Sequence, residues 1–263
     1  MTERTLILRL AGPLQSWGEE SKFNARGTLA YPSYSGLLGL CRAALGYGRD
    51  NDTGLADLRA LGVVLRGDSP GTVLRDYHSI NPPRGGVGAW IVPNGKGRPW
   101  TAQKEPGTVL TERHYLTDAA FTALMTGNDS TIHRLAAALR GPHWHISLGR
   151  KACIPDFPLV LGTTSASVES LLTCIPVIDV NLRLATDEDL IRAVEVHWLT
   201  RKPASDTPDV IHFDDPRGGH PHDGYRMRTR WINRTDYTAP VVPSRRELLD
   251  WANEHLDTGY GAS

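Results

Sequence analysis

The feature that most constrains the fold is the opening stretch, Leu6 to Gly48. Leu6-Ile7-Leu8-Arg9-Leu10 is short and almost wholly apolar, the pattern of a strand covered on both faces, so it belongs in the middle of a sheet. Ala11 to Tyr34 then runs for about two dozen residues, where connections are usually about 4–6. A loop of that length is functional or disordered, and Gln15, Trp17, Lys22, Asn24, Arg26 and Thr28 give this one hydrogen-bonding capacity. Trp17 has two readings, a hydrophobic plug closing the end of the sheet or a stacking platform for a ligand. Either would give its indole N–H a partner. Pro32-Ser33-Tyr34-Ser35-Gly36 then begins a helix, with Ser33 or Ser35 able to cap it. Leu37, Leu38, Cys41 and Leu45 recur at helical spacing, and Gly46 and Gly48 end the run. Gly36 and Gly39 each cost about 1 kcal/mol against Ala inside a helix. Close packing on a strand is one reason to tolerate them, and the approach of a phosphate to the first turn is another.

The rest of the chain repeats this alternation. Gly54 to Leu61 reads as a short helix and Val63 to Arg66 as a strand. Thr72 to Ile80 reads as another strand, with Asp76 and His78 on one side and Arg75 and Tyr77 on the other. Ala119 to Met125 is an apolar strand. Ser130 to Leu139 is an amphipathic helix capped by Asp129, with Ile132, Leu135, Ala136 and Leu139 inward, and His145 to Leu148 is the next strand. Strand, helix, strand, insertion, strand, helix, strand is a βαββαβ, or ferredoxin-like, order in an α+β chain. Beyond Pro155 come extended segments at Phe157–Leu161, Val177–Leu182, Ala193–Leu199, Val210–Phe213 and Tyr225–Ile232, and a closing helix from Ser244 to Leu256 with Leu248, Leu249 and Ala252 inward.

The insertion has a different composition. From Asn81 to Gly107, prolines and glycines alternate, while Arg84, Lys96, Arg98 and Lys104 are interleaved with Trp90 and Trp100. Gly95-Lys96-Gly97 can form a hairpin tip, and no acid occurs from Tyr77 through Lys104. This is a protruding basic arm with aromatic anchors, suited to a phosphate backbone and stacked bases. A second acid-free stretch, Ser130 to Pro155, carries Arg134, Arg140, Arg150 and Lys151. Arg226, Arg228 and Arg230 recur at period two on the last long strand, either as a solvated row or as phosphate contacts. Lys and Arg together number 29, as do Asp and Glu, so a nucleic acid would be held by local patches or by surfaces shared with other subunits.

Composition and motifs exclude several classes. The 3 cysteines, Cys41, Cys153 and Cys174, are too few and too scattered for a disulfide framework or a zinc finger, and fit a reducing cytosol. No secretory pattern opens the chain, and no run approaches the roughly 18 apolar residues of a membrane span, so a soluble cytoplasmic protein is expected. There is no Gly-x-Ser-x-Gly, P-loop or Rossmann fingerprint. Two enzymatic readings stay open. His212, Asp214, Asp215, His220, His222 and Asp223, with His143 and His145, could hold zinc or iron for a metal-dependent hydrolase. However, Gly218-Gly219 and Pro221 mark the His220–Asp223 part as a poorly preorganised loop, and no metal is expected there. His78, His114, Tyr115 and Lys104 could serve a metal-independent endoribonuclease that uses the 2′-OH of RNA as nucleophile.

Taken together, the stretches Leu6–Gly18 (LILRLAGPLQSWG), Tyr31–Gly46 (YPSYSGLLGLCRAALG) and Leu74-Arg75-Asp76-Tyr77-His78 resemble the Cas family five subunit of the type I-E CRISPR Cascade complex. Glu112–Phe121 (ERHYLTDAAF), Leu148–Cys153 (LGRKAC) and Leu161-Gly162-Thr163 resemble later blocks of that family, in order, to about residue 165. The resemblance implies an RNA-recognition-like ferredoxin body at 1–80 and 108–165, an inserted β-hairpin thumb at 81–107, and a mostly β C-terminal part at 166–263 with a terminal helix. It also implies a non-catalytic, cofactor-free subunit of an antiviral ribonucleoprotein that grips the 5′ handle of the crRNA. Such a subunit touches the backbone and large subunits of Cascade and meets target DNA only indirectly. Carried over by position, the handle would meet Gln15, Trp17, Arg26, Ser33, Ser35, Gly36, Gly149, Arg150 and Lys151, with Arg113, His114 and Tyr115 at the base of the thumb. Arg84, Trp90, Lys96, Arg98, Trp100 and Lys104 would be the thumb contacts.

Overall fold

The structure is a computed structural model that describes residues 3–18, 21–22, 25–48, 52–80, 109–179, 191–200, 210–216, 225–233 and 237–259. In chain order, β1 (Glu3–Ala11) is followed by three two-residue strands, β2 (Leu14–Gln15), β3 (Ser21–Lys22) and β4 (Ala25–Arg26), and by helices α1 (Tyr34–Leu45) and α2 (Asp52–Arg59). Next come β5 (Gly62–Ser69), β6 (Thr72–Ile80), β7 (Val109–Thr117), β8 (Ala120–Asn128), α3 (Asp129–Arg140) and β9 (Val160–Thr164). The remainder comprises α4 (Val168–Cys174), β10 (Val177–Ile178), β11 (Ile191–Ala193), β12 (Glu195–Trp198), β13 (Val210–Pro216), β14 (Tyr225–Asn233), β15 (Thr238–Val242) and α5 (Arg245–His255).

β1 is interior, as its apolar run requires: it pairs antiparallel with β8 on one side and β9 on the other. The order across this sheet is β13-β14-β12-β5-β8-β1-β9, with every pair antiparallel. Leu6, Leu8 and Leu10 of β1, Val63 and Leu65 of β5, and Phe121, Ala123 and Met125 of β8 share one face. They pack under α1, α2 and α3. Fully burying one such side chain contributes about 1.5–3 kcal/mol, so this layer is the largest stabilising term in the chain. The opposite face is covered too. Ile7, Val64, Leu124 and Leu161 pack against Leu171 and Leu172 of α4, Ala239 of β15 and Leu248 of α5. The segment after residue 165 is thus partly woven into the main sheet through β12, β14 and β13, and partly laid over it.

Three boundaries differ from the sequence expectations. His145 to Leu148 alternates like a strand but forms none, because the backbone of Leu148 bonds to Ser16 and Cys153. The strand that follows α3 in the main sheet is β9 instead, paired with β1. α3 is capped by Asn128, whose side chain accepts from the Thr131 N–H, while Asp129 is the first-turn acid that favours the helix dipole. The extended segment expected at Val210–Phe213 is strand β13, which runs on to Pro216 and takes in Asp214 and Asp215, whereas His220, His222 and Asp223 lie outside the described residues. On β14, Arg226, Arg228 and Arg230 stand in register with Asp215, His212 and Val210.

A second sheet is built around β7. β6 pairs with β7 along its whole length, from Thr72 against Thr117 to Ile80 against Val109, with no break in register. The other edge of β7 is shared, with β2 bonding at Leu116–Thr117 and β4 running parallel at Glu112–Arg113. The long first loop is therefore ordered by strand pairing, in pieces too short to show a period. β6 and β7 converge on Ile80 and Val109, between which the basic arm is inserted. Residues 81–108, with Arg84, Trp90, Lys96, Arg98, Trp100 and Lys104, lie outside the described residues.

Candidate nucleic-acid interface

The first loop is built inward before it offers anything outward. Gln15 is fully buried and spends its amide donors on the carbonyls of Leu10 (3.1 Å) and Ala119 (2.7 Å). Its Oε1 accepts the indole N–H of Trp17 at 3.0 Å. Trp17 is 1 % exposed, and its backbone N–H donates to Thr28 Oγ1. Of the two readings of Trp17, the geometry is that of the plug. A Cβ added to Gly36 would lie 2.9 Å from the Trp17 ring, and Ser33, also buried, gives its hydroxyl to capping α1 at the Gly36 N–H. Gly36 is therefore small because the indole passes it, and it and Ser35 are the partly accessible members of this turn.

Arg150 organises the surface above. Between β2 and β4 the shared edge of β7 has a gap at His114 and Tyr115. The Arg150 guanidinium fills it, donating to the carbonyls of His114 (3.0 Å), Arg26 (2.9 Å) and Gly27 (3.3 Å). The same group lies 4.8 Å above the centre of the buried Tyr115 ring. Hydrogen bonds with a charged donor are worth about 1.5–3 kcal/mol each when formed away from water, so one side chain joins three segments here. Gly149 lets this happen. Its φ is +93° and a Cβ there would fall 1.7 Å from the Ser16 carbonyl oxygen, so both the conformation and the close approach require glycine.

The residues expected to meet RNA thus divide into supports and exposed groups. Gln15, Trp17, Ser33 and Tyr115 are buried, and Arg150 is spent on carbonyls. Arg26 and Lys151 are exposed. Arg113 is half-buried, stands opposite Arg26 in the ladder, and has an enclosed Nε without an acceptor. Thr111, two residues along the same face of β7, likewise has an enclosed hydroxyl without a partner, and nothing in its surroundings marks it in the sequence. Arg26 and Arg113 are like charges on adjacent strands and repel, with Asp76 opposite Arg113 on β6 offsetting part of this. An acceptor anion along this seam would relieve that repulsion and satisfy the two orphaned groups.

The catalytic candidates are not brought together. His78 and His114 project from opposite faces of the β6–β7 ribbon, since Arg75 and not His78 stands opposite His114. His78 binds Asp76 at 2.5 Å, and Tyr115 is covered by Arg150. Lys104 lies outside the described residues. Among the described residues, no three His, Cys, Asp or Glu side chains converge as a metal site would need. No helix among them is long and apolar enough to cross a membrane.

The fold occurs in known structures. A chain of a CRISPR RNA-guided surveillance complex superposes with a TM-score of 0.74 and 32 % identity, over 95 % of this chain and 99 % of that one. A solved Cas protein superposes with a TM-score of 0.59 and 25 % identity, over 91 % and 100 % of the respective chains. The fold is thus that of a CRISPR-associated protein. The family model described as CRISPR-associated protein (Cas_Cas5) matches residues 5–232, and the chain belongs to that family. Among curated relatives, the CRISPR system Cascade subunit CasD of Escherichia coli (strain K12) is 37 % identical over 174 residues, 62 % of this chain and 72 % of that protein.

Proposed function

We propose that this chain is a non-catalytic, cytoplasmic subunit of a Cascade-type surveillance complex that holds the 5′ handle of the guide RNA. Likeness to the surveillance-complex chain and to CasD supports assembly with Cascade backbone and large subunits around a crRNA, with target DNA met only indirectly. The observation that carries RNA binding is the seam at β4, β7 and the 149–151 turn. There Arg26, Lys151 and Arg113 are gathered by the Arg150 clamp with donors left unused. Single-stranded RNA is held by such phosphate contacts, with bases stacked on aromatic groups nearby. Ser35, Gly149 and Gly36 border the seam as backbone and small-residue surface, while Gln15, Trp17, Ser33, Tyr115 and Arg150 act by shaping it.

In this reading the order β5-β8-β1-β9, with α1 and α3 on one face, is a ferredoxin-like βαββαβ body spanning 1–80 and 108–165. Residues 81–107 are its thumb, where Arg84, Trp90, Lys96, Arg98, Trp100 and Lys104 would add contacts. Residues 166–263 are the β-rich extension. Because that extension covers the second face of the body's sheet, the RNA lies along the β7 seam and not on the sheet face.

The test is binding of a repeat-derived handle RNA to Arg26→Ala, Arg113→Ala and Lys151→Ala across a salt titration. Each is expected to weaken binding several-fold and to lower the salt slope by about 0.7 for every phosphate no longer neutralised. Unchanged affinity and slope in all three would overturn the assignment. The same RNA incubated with the chain, with and without EDTA, is expected to stay intact. Cleavage abolished in His78→Ala or His114→Ala would favour the endoribonuclease reading, and EDTA-sensitive cleavage the metal-dependent one.

A further inference from the structure

On the second face of the main sheet lies a charged row that the RNA reading does not use. Arg9 on β1 and Arg66 on β5 both stand in register with Thr122 on β8, so the three side chains cross the sheet on one face. This is the face that α4 and α5 cover. Arg66 is 0 % exposed and Thr122 2 %. Two of the Arg66 guanidinium nitrogens are engaged: Nε donates to Asp68 (2.6 Å), and Nη1 donates to the carbonyls of Leu172 (2.9 Å) and Ile175 (2.8 Å) at the end of α4. Its Nη2 is enclosed and has no acceptor. Arg9 Nη1 is in the same condition, with the nearest carboxylate, Asp156, 3.7 Å away.

The charges do not balance. Each Asp68 oxygen already accepts one hydrogen bond, one from Arg66 and the other from the Thr122 hydroxyl (2.6 Å), and Asp156 is shared between Arg9 and Arg245 (3.1 Å). Among the described residues three guanidiniums, Arg9, Arg66 and Arg245, therefore face two carboxylates, Asp68 and Asp156. Burial pulls Arg9 below its ordinary value, Asp156 and Asp68 oppose this, and Arg245 adds to it. A buried cation without a full counter-charge is costly, and an enclosed guanidinium N–H without an acceptor adds a desolvation penalty.

We infer that a small inorganic anion of chloride-like size binds between Arg9 and Arg66 and locks α4 and α5 onto the sheet. Because Arg66 is wholly buried while Arg245 and Asp156 are partly open to solvent, the site is assigned to a small free ion and not to an RNA phosphate held in a chain. A neutral water could accept from both donors but would leave the positive charge uncompensated.

The experiment is thermal unfolding of the intact chain at fixed ionic strength, with chloride replacing gluconate. Binding to the folded state alone is expected to raise the midpoint with the logarithm of chloride concentration, by about 3–6 °C at ten times the dissociation constant. In Arg9→Met that rise should vanish. Because an Arg66 variant can fail to fold, the second arm uses the unaltered protein crystallised with bromide. An anomalous peak within hydrogen-bonding distance of Arg66 Nη2 and Arg9 Nη1 is expected. A site filled by water, an identical chloride response in Arg9→Met, or a bromide peak without any chloride-dependent shift would each overturn the inference, the last by making the ion adventitious. None of these outcomes depends on whether the β7 seam binds RNA.

Discussion

In the seven-stranded sheet, β1 has a partner along both edges and apolar cover on both faces, so its position is set many times over. In the smaller sheet, β7 has one continuous partner, β6, and an interrupted edge repaired by a single guanidinium. Its surroundings carry exposed cations, Arg26 and Lys151, beside the orphaned groups of Thr111 and Arg113, whereas the orphaned nitrogens of Arg9 and Arg66 in the main sheet sit among apolar side chains. The first region has its apolar side chains covered within the chain. The second is shaped by a few polar contacts, and its unused donors are what the proposed RNA contact would engage. On the proposed function, core packing and recognition fall to different sheets.

Three changes should break or sharpen that contrast, taken from the largest effect down. Leu8→Ala removes a fully buried side chain at the centre of the main sheet, and unfolding in urea is expected to show a loss of about 2–5 kcal/mol. The salt slope of handle binding by the folded fraction should stay as it was. A loss below about 1 kcal/mol would mean that the core is less densely specified than described. Gly149→Ala forces a Cβ against the Ser16 carbonyl at a positive φ, and is expected to cost about 1–3 kcal/mol and to loosen the Arg150 clamp. Faster hydrogen exchange at the His114 and Tyr115 amides would report the loosening, and unchanged exchange would contradict the role given to the clamp. Lys151→Ala lies on exposed surface, so its stability should change by no more than about 0.5 kcal/mol while handle affinity falls.

The contrast also explains how much can be read from the sequence. β1, α1, α3 and α5 declare themselves by apolar periodicity, and Ser33, Gly46 and Ser244 by capping chemistry. Asp129 is the cap that the residue pattern suggests for α3, but the first helical turn begins one residue earlier and Asn128 takes that role. The alternation of His145-Ile146-Ser147-Leu148 suggests a strand, yet Ile146 and Leu148 face the core from a segment whose backbone bonds leave for Ser16 and Cys153. The smaller sheet is not legible, because β2, β3 and β4 are two residues long and carry no period. Residue chemistry places Arg150 beside the first loop but cannot show that carbonyls consume its guanidinium. In the same way Gln15 reads as free to meet a ligand and Trp17 as either a plug or a stacking platform, whereas the fold turns them inward on each other. An Arg inside each of two apolar strands, at Arg9 and Arg66, is the one visible signal of the buried charged row.

The central claim, that Arg150 builds the seam while its neighbours touch the RNA, is tested most directly by comparing Arg150→Ala with Arg26→Ala. Handle affinity would be measured against salt and unfolding free energy determined for each variant. Arg150→Ala should lose about 1–3 kcal/mol of stability and bind more weakly with an unaltered salt slope, because no phosphate ligand is removed. Arg26→Ala should keep its stability and show a slope lower by about 0.7. A lowered slope in Arg150→Ala with stability intact would make that guanidinium a phosphate ligand and contradict the account.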